Sequence, residues 1–223
     1  MKDLNQKVKI NKIRLLVHLI VAIIIAAITF IVLNNSNNFK KEKKASLEIF
    51  EHELDIVYGS DSADLTIFLF SNYSCSFCRK FFANVYPKLK EDYIDKGKVK
   101  LVVKPVDLTN NENVINSLKI AVCINEYGKF EKLNRLLLFE PKVVYNEEFS
   151  ELIDEFIEKD EFVAECMLGG ESDEYIVENI LSFKALKLTG TPTFIINNKI
   201  YKGYRDYENF KKLIEKELAY SLH

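Results

Sequence analysis

The chain has 223 residues, 48% of them hydrophobic, and a formal net charge of −2, which suits one anchored globular domain with a core of its own. Residues 1–45 carry nine Lys/Arg against two Asp/Glu, leaving a body with 22 basic and 31 acidic residues, a balance of −9. An acidic body without a basic stripe argues against nucleic acid as a partner. The three histidines, His18, His52 and His223, make no metal-ligand spacing, so neither a metal nor a cofactor is expected.

Residues 1–14 form a basic tail with Lys2, Lys7, Lys9, Lys12 and Arg14. Leu15 to Leu33 then runs apolar with one His and no formal charge. As a helix it would span roughly 28 Å, about the hydrocarbon thickness of a bilayer. A cleaved signal peptide has a shorter apolar core followed by an A-x-A-like site, whereas Asn34-Asn35-Ser36 follows here. A buried core helix and a cleaved signal are the other readings; length and flanks favour a transmembrane signal anchor over 15–33. Lys40, Lys41, Lys43 and Lys44 follow the span, so the positive-inside rule tilts only slightly toward a cytoplasmic N-terminus with the domain outside. Residues 34–46 read as a polar linker, and 47–221 as the folded domain.

Val57 to Ala63 is turn-rich. Leu65 to Phe70 is an unbroken apolar run of strand length, expected in the middle of a sheet. Cys78, Phe81, Phe82, Val85 and Leu89 then recur at helical spacing, with Pro87 placed to kink the helix and Lys96-Gly97 to end it. Val99 to Val103 is β-branched and apolar, a second strand. Strand, helix and strand within about 40 residues predict a βαβ unit with parallel strands.

From Thr109 to Leu188 the pattern is helical. Thr109 and Glu112 predict a capping box. Apolar faces follow at Val114/Leu118/Ala121, Phe130/Leu133/Leu137, Phe149/Leu152/Phe156, Phe162/Cys166 and Ile176/Ile180/Phe183. Gly169-Gly170 stops the fourth helix, and Ser172-Asp173-Glu174 is expected to open the fifth. The segment from about 109 to 188 is therefore an insertion of about five helices. Thr193 to Ile196 is a strand entered through Pro192. Asn197-Asn198 reads as a hairpin turn and Lys199 to Lys202 as the return strand. Asp206 caps a last helix carrying Phe210, Ile214 and Leu218.

The chemistry concentrates at Ser71-Asn-Tyr-Ser-Cys-Ser-Phe-Cys78. Cys75 and Cys78, separated by two residues on the first turn of a helix, can close a small disulfide. The electropositive helix end favours the first sulfur as thiolate. A C-x-x-C at a strand-to-helix junction reads as a redox motif. A structural disulfide or half a zinc site are the other readings, but zinc needs a second C-x-x-C or a His pair.

Three features carry a resemblance: Cys75-Ser-Phe-Cys78 after the apolar strand, Gly190-Thr-Pro-Thr-Phe194 about 115 residues later, and the helical block between them. Over residues 50 to 220 the chain resembles the DsbA family of thioredoxin-like thiol–disulfide oxidoreductases, most closely membrane-tethered bacterial members. The resemblance implies an α/β thioredoxin-like fold (βαβ…ββα) with an inserted all-helical subdomain, here preceded by one N-terminal transmembrane helix. It also implies an enzyme, a protein-disulfide oxidoreductase. Cys75 is expected to be the exposed, low-pKa sulfur that a substrate thiolate attacks, and Cys78 its buried resolving partner. By resemblance Pro192 is cis and faces them, and Thr191 turns its backbone toward an extended substrate. Some family members carry a second disulfide where Cys123 and Cys166 stand. These two are otherwise buried, reduced small side chains, and an oxidising compartment favours the bond.

The family further implies reduced, unfolded exported proteins as substrates and a DsbB-like membrane oxidase as the partner that restores the disulfide. The expected place is single-pass in the cytoplasmic membrane, with the catalytic domain periplasmic or extracytoplasmic. A reductase or isomerase on the same fold, or a tethered non-catalytic binding or chaperone module, are the alternatives. The chain departs from the family in two places. Ser-Phe stands between the cysteines where Pro-His or Pro-Tyr is common, and Leu69 stands where members often carry a buried acid. Lys104, at the end of the second strand, either approaches the site or is a solvated strand end.

Overall fold

A computed structural model describes residues 20, 22–30, 49–127 and 130–221. Contacts divide the chain into two units, Met1–Ser46 and Leu47–His223. In the first, residues 22–30 are helical; the basic tail, the linker and residues 15–19, 21 and 31–33 of the apolar run lie outside the described residues. Among the described residues no helix is long and apolar enough to cross a membrane.

In the second unit the elements are β1 (Ile56–Tyr58), β2 (Leu65–Ser71), α1 (Ser76–Asn84), α2 (Tyr86–Leu89), a π turn (Lys90–Ile94) and β3 (Val99–Pro105). There follow α3 (Glu112–Tyr127), α4 (Phe130–Phe139), a 3-10 turn (Pro141–Tyr145), α5 (Glu147–Lys159), α6 (Glu161–Leu168) and α7 (Glu171–Ala185). β4 (Thr193–Ile196), β5 (Lys199–Lys202) and α8 (Tyr207–Ser221) complete the unit. The five strands lie in the order β1-β3-β2-β4-β5. β2 runs parallel to β3, with Leu69 opposite Val103, and antiparallel to β4, with Leu69 opposite Phe194. This is the thioredoxin-like α/β arrangement with a helical block inserted between β3 and β4.

Strand β2 is central because it can be. Its odd positions Leu65, Ile67 and Leu69 enter the larger core and Phe70 enters the smaller one, so both faces are covered. On the larger side α1 presents Phe81, whose ring meets Phe194 of β4 at 5.1 Å and Phe210 of α8 at 5.4 Å. Tilted aromatic contacts of this kind add about 0.5–1.5 kcal/mol each beyond area burial. On the other face Phe183 of α7 packs edge-on against Phe70 at 5.6 Å.

Pro87 sits in the first turn of α2, where its missing N–H costs nothing, and the helical run is interrupted at Val85. Asn197 and Asn198 both take positive φ, 48° and 59°, the signature of a type I′ hairpin turn. Asp206 accepts from the Asn209 N–H at 2.9 Å, capping α8.

Four sequence expectations need correction. The edge strand β1 escaped notice, because three residues, Ile-Val-Tyr, give too short a pattern; it pairs antiparallel with β3. The cap of α3 is Asn111, whose side chain accepts from the Val114 N–H at 3.3 Å. Thr109 is withdrawn from a capping box because Asp107 takes its hydroxyl at 2.8 Å. Helix α7 starts at Glu171 behind Gly170, which sits in the left-handed region at φ 94°. Ser172 is fully buried and donates to the Cys166 carbonyl at 2.8 Å, so it ties α7 to α6 rather than capping. Lys104 is neither solvated nor at the redox pair. It is 4% exposed, holds both oxygens of buried Asp55 at 2.8 Å, and lies beside the Phe68 ring on the face away from Leu69.

Candidate active site

The site grows from the end of β2. Asn72 makes an Asx turn: its side-chain oxygen accepts from the Ser74 N–H at 2.7 Å and the Ser74 hydroxyl at 2.6 Å. Its amide donates to the Val106 carbonyl at 2.7 Å, and its own carbonyl accepts from the Cys75 N–H at 3.1 Å. Arg79 closes the loop from the other side, donating to the carbonyls of Tyr73 and Ser74 at 2.9 and 3.0 Å. Neither residue was singled out from sequence; Asn-x-Ser directly before a helix was the signal for Asn72.

This loop delivers Cys75 to the N-cap of α1, where the orphan N–H groups and the helix dipole favour negative charge. Both cysteines are free thiols, Cys75 half-buried and Cys78 fully buried. The Cys75 thiol is held down at about 5, first by a hydrogen bond from the Cys78 thiol, then by the Thr191 side chain and the N–H groups of Cys78 and Phe77, against the opposing effect of burial. Burial pushes the Cys78 thiol far up, and the charge on Cys75 pushes it further. Two sulfurs one turn apart thus divide into a half-buried thiolate and a buried thiol.

Thr191 reaches the pair from 116 residues away. When protonated, the Cys75 sulfur donates to its carbonyl at 3.2 Å. The Thr191–Pro192 peptide bond is cis, and the Pro192 carbonyl accepts from the Gly203 N–H at 2.8 Å. That bond brings the Gly203–Asp206 loop beside the site. There Tyr204 stacks with Phe77 at 6.5 Å between ring centroids, and Lys80 lies over the Tyr204 ring at 4.7 Å. Phe77, 56% exposed, therefore forms an aromatic rim to the pair. Leu69 is fully buried in the larger core, with Val103 and Phe194 opposite it on the neighbouring strands.

Cys123 of α3 and Cys166 of α6 form a disulfide with Cα atoms 5.8 Å apart. It lies within the helical block, among the larger-core residues. The six residues singled out from sequence thus fall into two groups, with Cys75, Cys78, Thr191 and Pro192 together and Cys123–Cys166 apart.

The family model described as Thioredoxin matches residues 51–216. Disulfide bond formation protein D of Bacillus subtilis (strain 168) is 27% identical over 188 residues, covering 73% of this chain and 76% of that one. A Rickettsia typhi relative is 23% identical over 171 residues, and the chain spans 62% of its length. Among solved structures, alpha-DsbA1 of Wolbachia pipientis superposes with a TM-score of 0.64 at 22% identity, over 80% of this chain and 98% of that one. BdbD of Bacillus subtilis gives 0.60 at 22% identity, over 75% and 94%. At those identities the structures speak for the fold. With the family model matching residues 51–216, well over half of the chain, the chain belongs to the thioredoxin family.

Proposed function

We propose that this protein is a membrane-anchored protein-disulfide oxidoreductase that introduces disulfides into exported proteins through Cys75 and Cys78. The observation that carries the reading is the division of the pair. A Cys75 thiolate held at about 5 beside a buried Cys78 thiol stabilises the reduced form, and a dithiol that prefers to be reduced is, as a disulfide, an oxidant. That direction favours oxidase over reductase.

In the cycle, a substrate thiolate attacks the Cys75 sulfur of the enzyme disulfide. The Cys75–Cys78 bond breaks, its electron pair goes to Cys78, and Cys78 takes a proton. A second substrate thiolate then attacks the substrate sulfur of the mixed disulfide and releases the Cys75 thiolate. The substrate has lost two electrons and the enzyme has gained them. Thr191, whose carbonyl is 3.2 Å from the Cys75 sulfur, offers backbone to an extended substrate segment, and Pro192 holds it in place.

The apolar run 15–33 supports anchoring in the cytoplasmic membrane, N-terminus inside, with the domain on the extracytoplasmic side. The reduced enzyme then needs an electron acceptor in or at that membrane, the part a DsbB-like oxidase plays. Trapping tests the reading. A Cys78→Ala chain in cells should accumulate mixed disulfides on Cys75 with exported, cysteine-containing proteins. Capture of cytosolic chains, or a wild-type pair found mostly reduced in cells, contradicts it.

A further inference from the structure

Helices α4 and α5 are joined by the 3-10 turn Pro141–Tyr145, and each packs on that turn more closely than on the other helix. Two amphipathic helices joined by a short turn ordinarily close their apolar faces on each other. Here the faces stand apart, and a cleft of about 610 Å³ lies between them. Leu133, Leu136 and Phe139 of α4 line one wall, and Leu152 and Phe156 of α5 line the other. Each set has the spacing of a single helix face. Phe139, at the turn end, is 58% exposed, so neither helix covers it. The volume is that of a small-ligand site.

The charges on the lining say what fits there. From α4 through α7, residues 130–185 carry 15 Asp/Glu and five Lys/Arg. Three of those five, Lys132, Arg135 and Lys159, line this one cleft. Lys159 is paired with Glu155. The Glu155 carboxyl is held below its ordinary range first by Lys159 and also by Lys132, which places Lys132 across the cleft from α5. Glu140, the other carboxylate on the lining, sits at the turn end. Lys132 and Arg135 make no hydrogen bond or ion pair among the described residues. Two unpaired cations, one helical turn apart, thus stand at the end away from the turn, in an otherwise acidic block. Among the described lining residues there is no hydroxyl or amide side chain, so the walls sort ligands by apolar contact and the cations by charge.

We propose that this cleft binds a free medium-chain fatty acid, with its carboxylate on Lys132 and Arg135 and its acyl chain along the apolar walls toward Phe139. The guanidinium fork of Arg135 matches the two oxygens of a carboxylate, and the Lys132 ammonium adds a point charge. From Lys132 to Phe139 the helix rises roughly 10 Å, which suits one acyl chain of medium length rather than the two long tails of a phospholipid. The site is separate from the redox pair and does not depend on the oxidoreductase reading. Asn134 of the same helix turns away from the cleft: its side-chain oxygen accepts from the Tyr73 hydroxyl at 3.0 Å, and its amide donates to the Tyr58 hydroxyl at 3.3 Å.

The test titrates the full chain, held in nanodiscs of zwitterionic phosphatidylcholine, with decanoate and with decyltrimethylammonium. Heats are corrected with empty discs. Decanoate should saturate at one per chain, and the cationic amphiphile should bind at least about tenfold more weakly. Arg135→Glu and Lys132→Glu change exposed side chains at the head, and Leu136→Asn changes the wall. Each should weaken decanoate by about tenfold, the order of one charged hydrogen bond or one buried apolar side chain. All three should leave Cys75 alkylation near pH 5 in place, which shows that the domain is folded. Decanoate heats no larger than on empty discs overturn the proposal. So does equal affinity for the two amphiphiles, or unchanged decanoate affinity in both head variants or in Leu136→Asn. Displacement of decanoate by discs containing phosphatidylglycerol makes an anionic bilayer surface the occupant and overturns it too.

Discussion

Cys75 titrates near 5 because of groups that can be removed one at a time. The first of them is the Cys78 thiol, so Cys78→Ala should move the midpoint of Cys75 alkylation upward from about 5, read as iodoacetamide reactivity against pH. A depressed acidic group stabilises the state that contains it above its ordinary value and ceases to do so as pH falls through the depressed one. The reduced protein should therefore lose stability relative to the oxidised protein as pH falls from about 9 to about 5. The reduction potential carries the same sign. Below about 5 two protons accompany two electrons, and above it only one, so the slope should change from about 59 to about 30 mV per pH unit. A single slope through that point would remove the Cys75 thiolate from the account. Lys104 is a second residue whose surroundings matter more than its type. Asp55→Ala leaves its charge buried without its partner and should cost about 3–5 kcal/mol in denaturant unfolding. Replacing both, Asp55→Leu with Lys104→Met, should cost less, with a remainder from the buried Tyr175 hydroxyl, which loses its acceptor at 2.6 Å.

The elements show what a single sequence makes legible. β2, β3, the β4–β5 hairpin and the five inserted helices were readable, since each carries either an unbroken apolar run or a repeated apolar face, and both signals are local. β1 was not, because a three-residue edge strand is specified by its partner β3 rather than by its own pattern. The caps of α3 and α7 misled for a different reason. Thr109 and Ser172 have the right chemistry for a cap, but nearby acceptors, Asp107 two residues before and the Cys166 carbonyl six residues before, compete for their hydroxyls. Cys75, Cys78, Thr191 and Pro192 were named from motif and resemblance. Asn72, Arg79 and Tyr204 were not, because their roles depend on which backbone groups and rings arrive next to them. At this scale the α3–α6 tie is measurable. Cys123 and Cys166 are 43 residues apart, and a loop of that length makes the bond worth about 4 kcal/mol through the unfolded chain. Cys123→Ala with Cys166→Ala should lower thermal stability accordingly and leave Cys75 alkylation near pH 5 in place.

On the scale of the whole molecule, the sheet gives the redox pair its two essential neighbours from opposite ends of the chain. β2 and α1 supply the cysteines, and the turn into β4 supplies Thr191 and Pro192. The helical insertion lies between these segments in sequence, yet the pair contacts none of it in its hydrogen bonds. The chemistry should therefore follow Cys75 and Cys78 and not the second disulfide. The most direct measurement mixes oxidised full chain with an excess of a reduced, unfolded two-cysteine protein and counts thiols on both by alkylation and mass. The account predicts one substrate disulfide formed for each Cys75–Cys78 bond lost, and none with Cys75→Ala. Substrate oxidation that persists at the wild-type rate in Cys75→Ala, or an enzyme disulfide that remains intact while substrate oxidises, would contradict it.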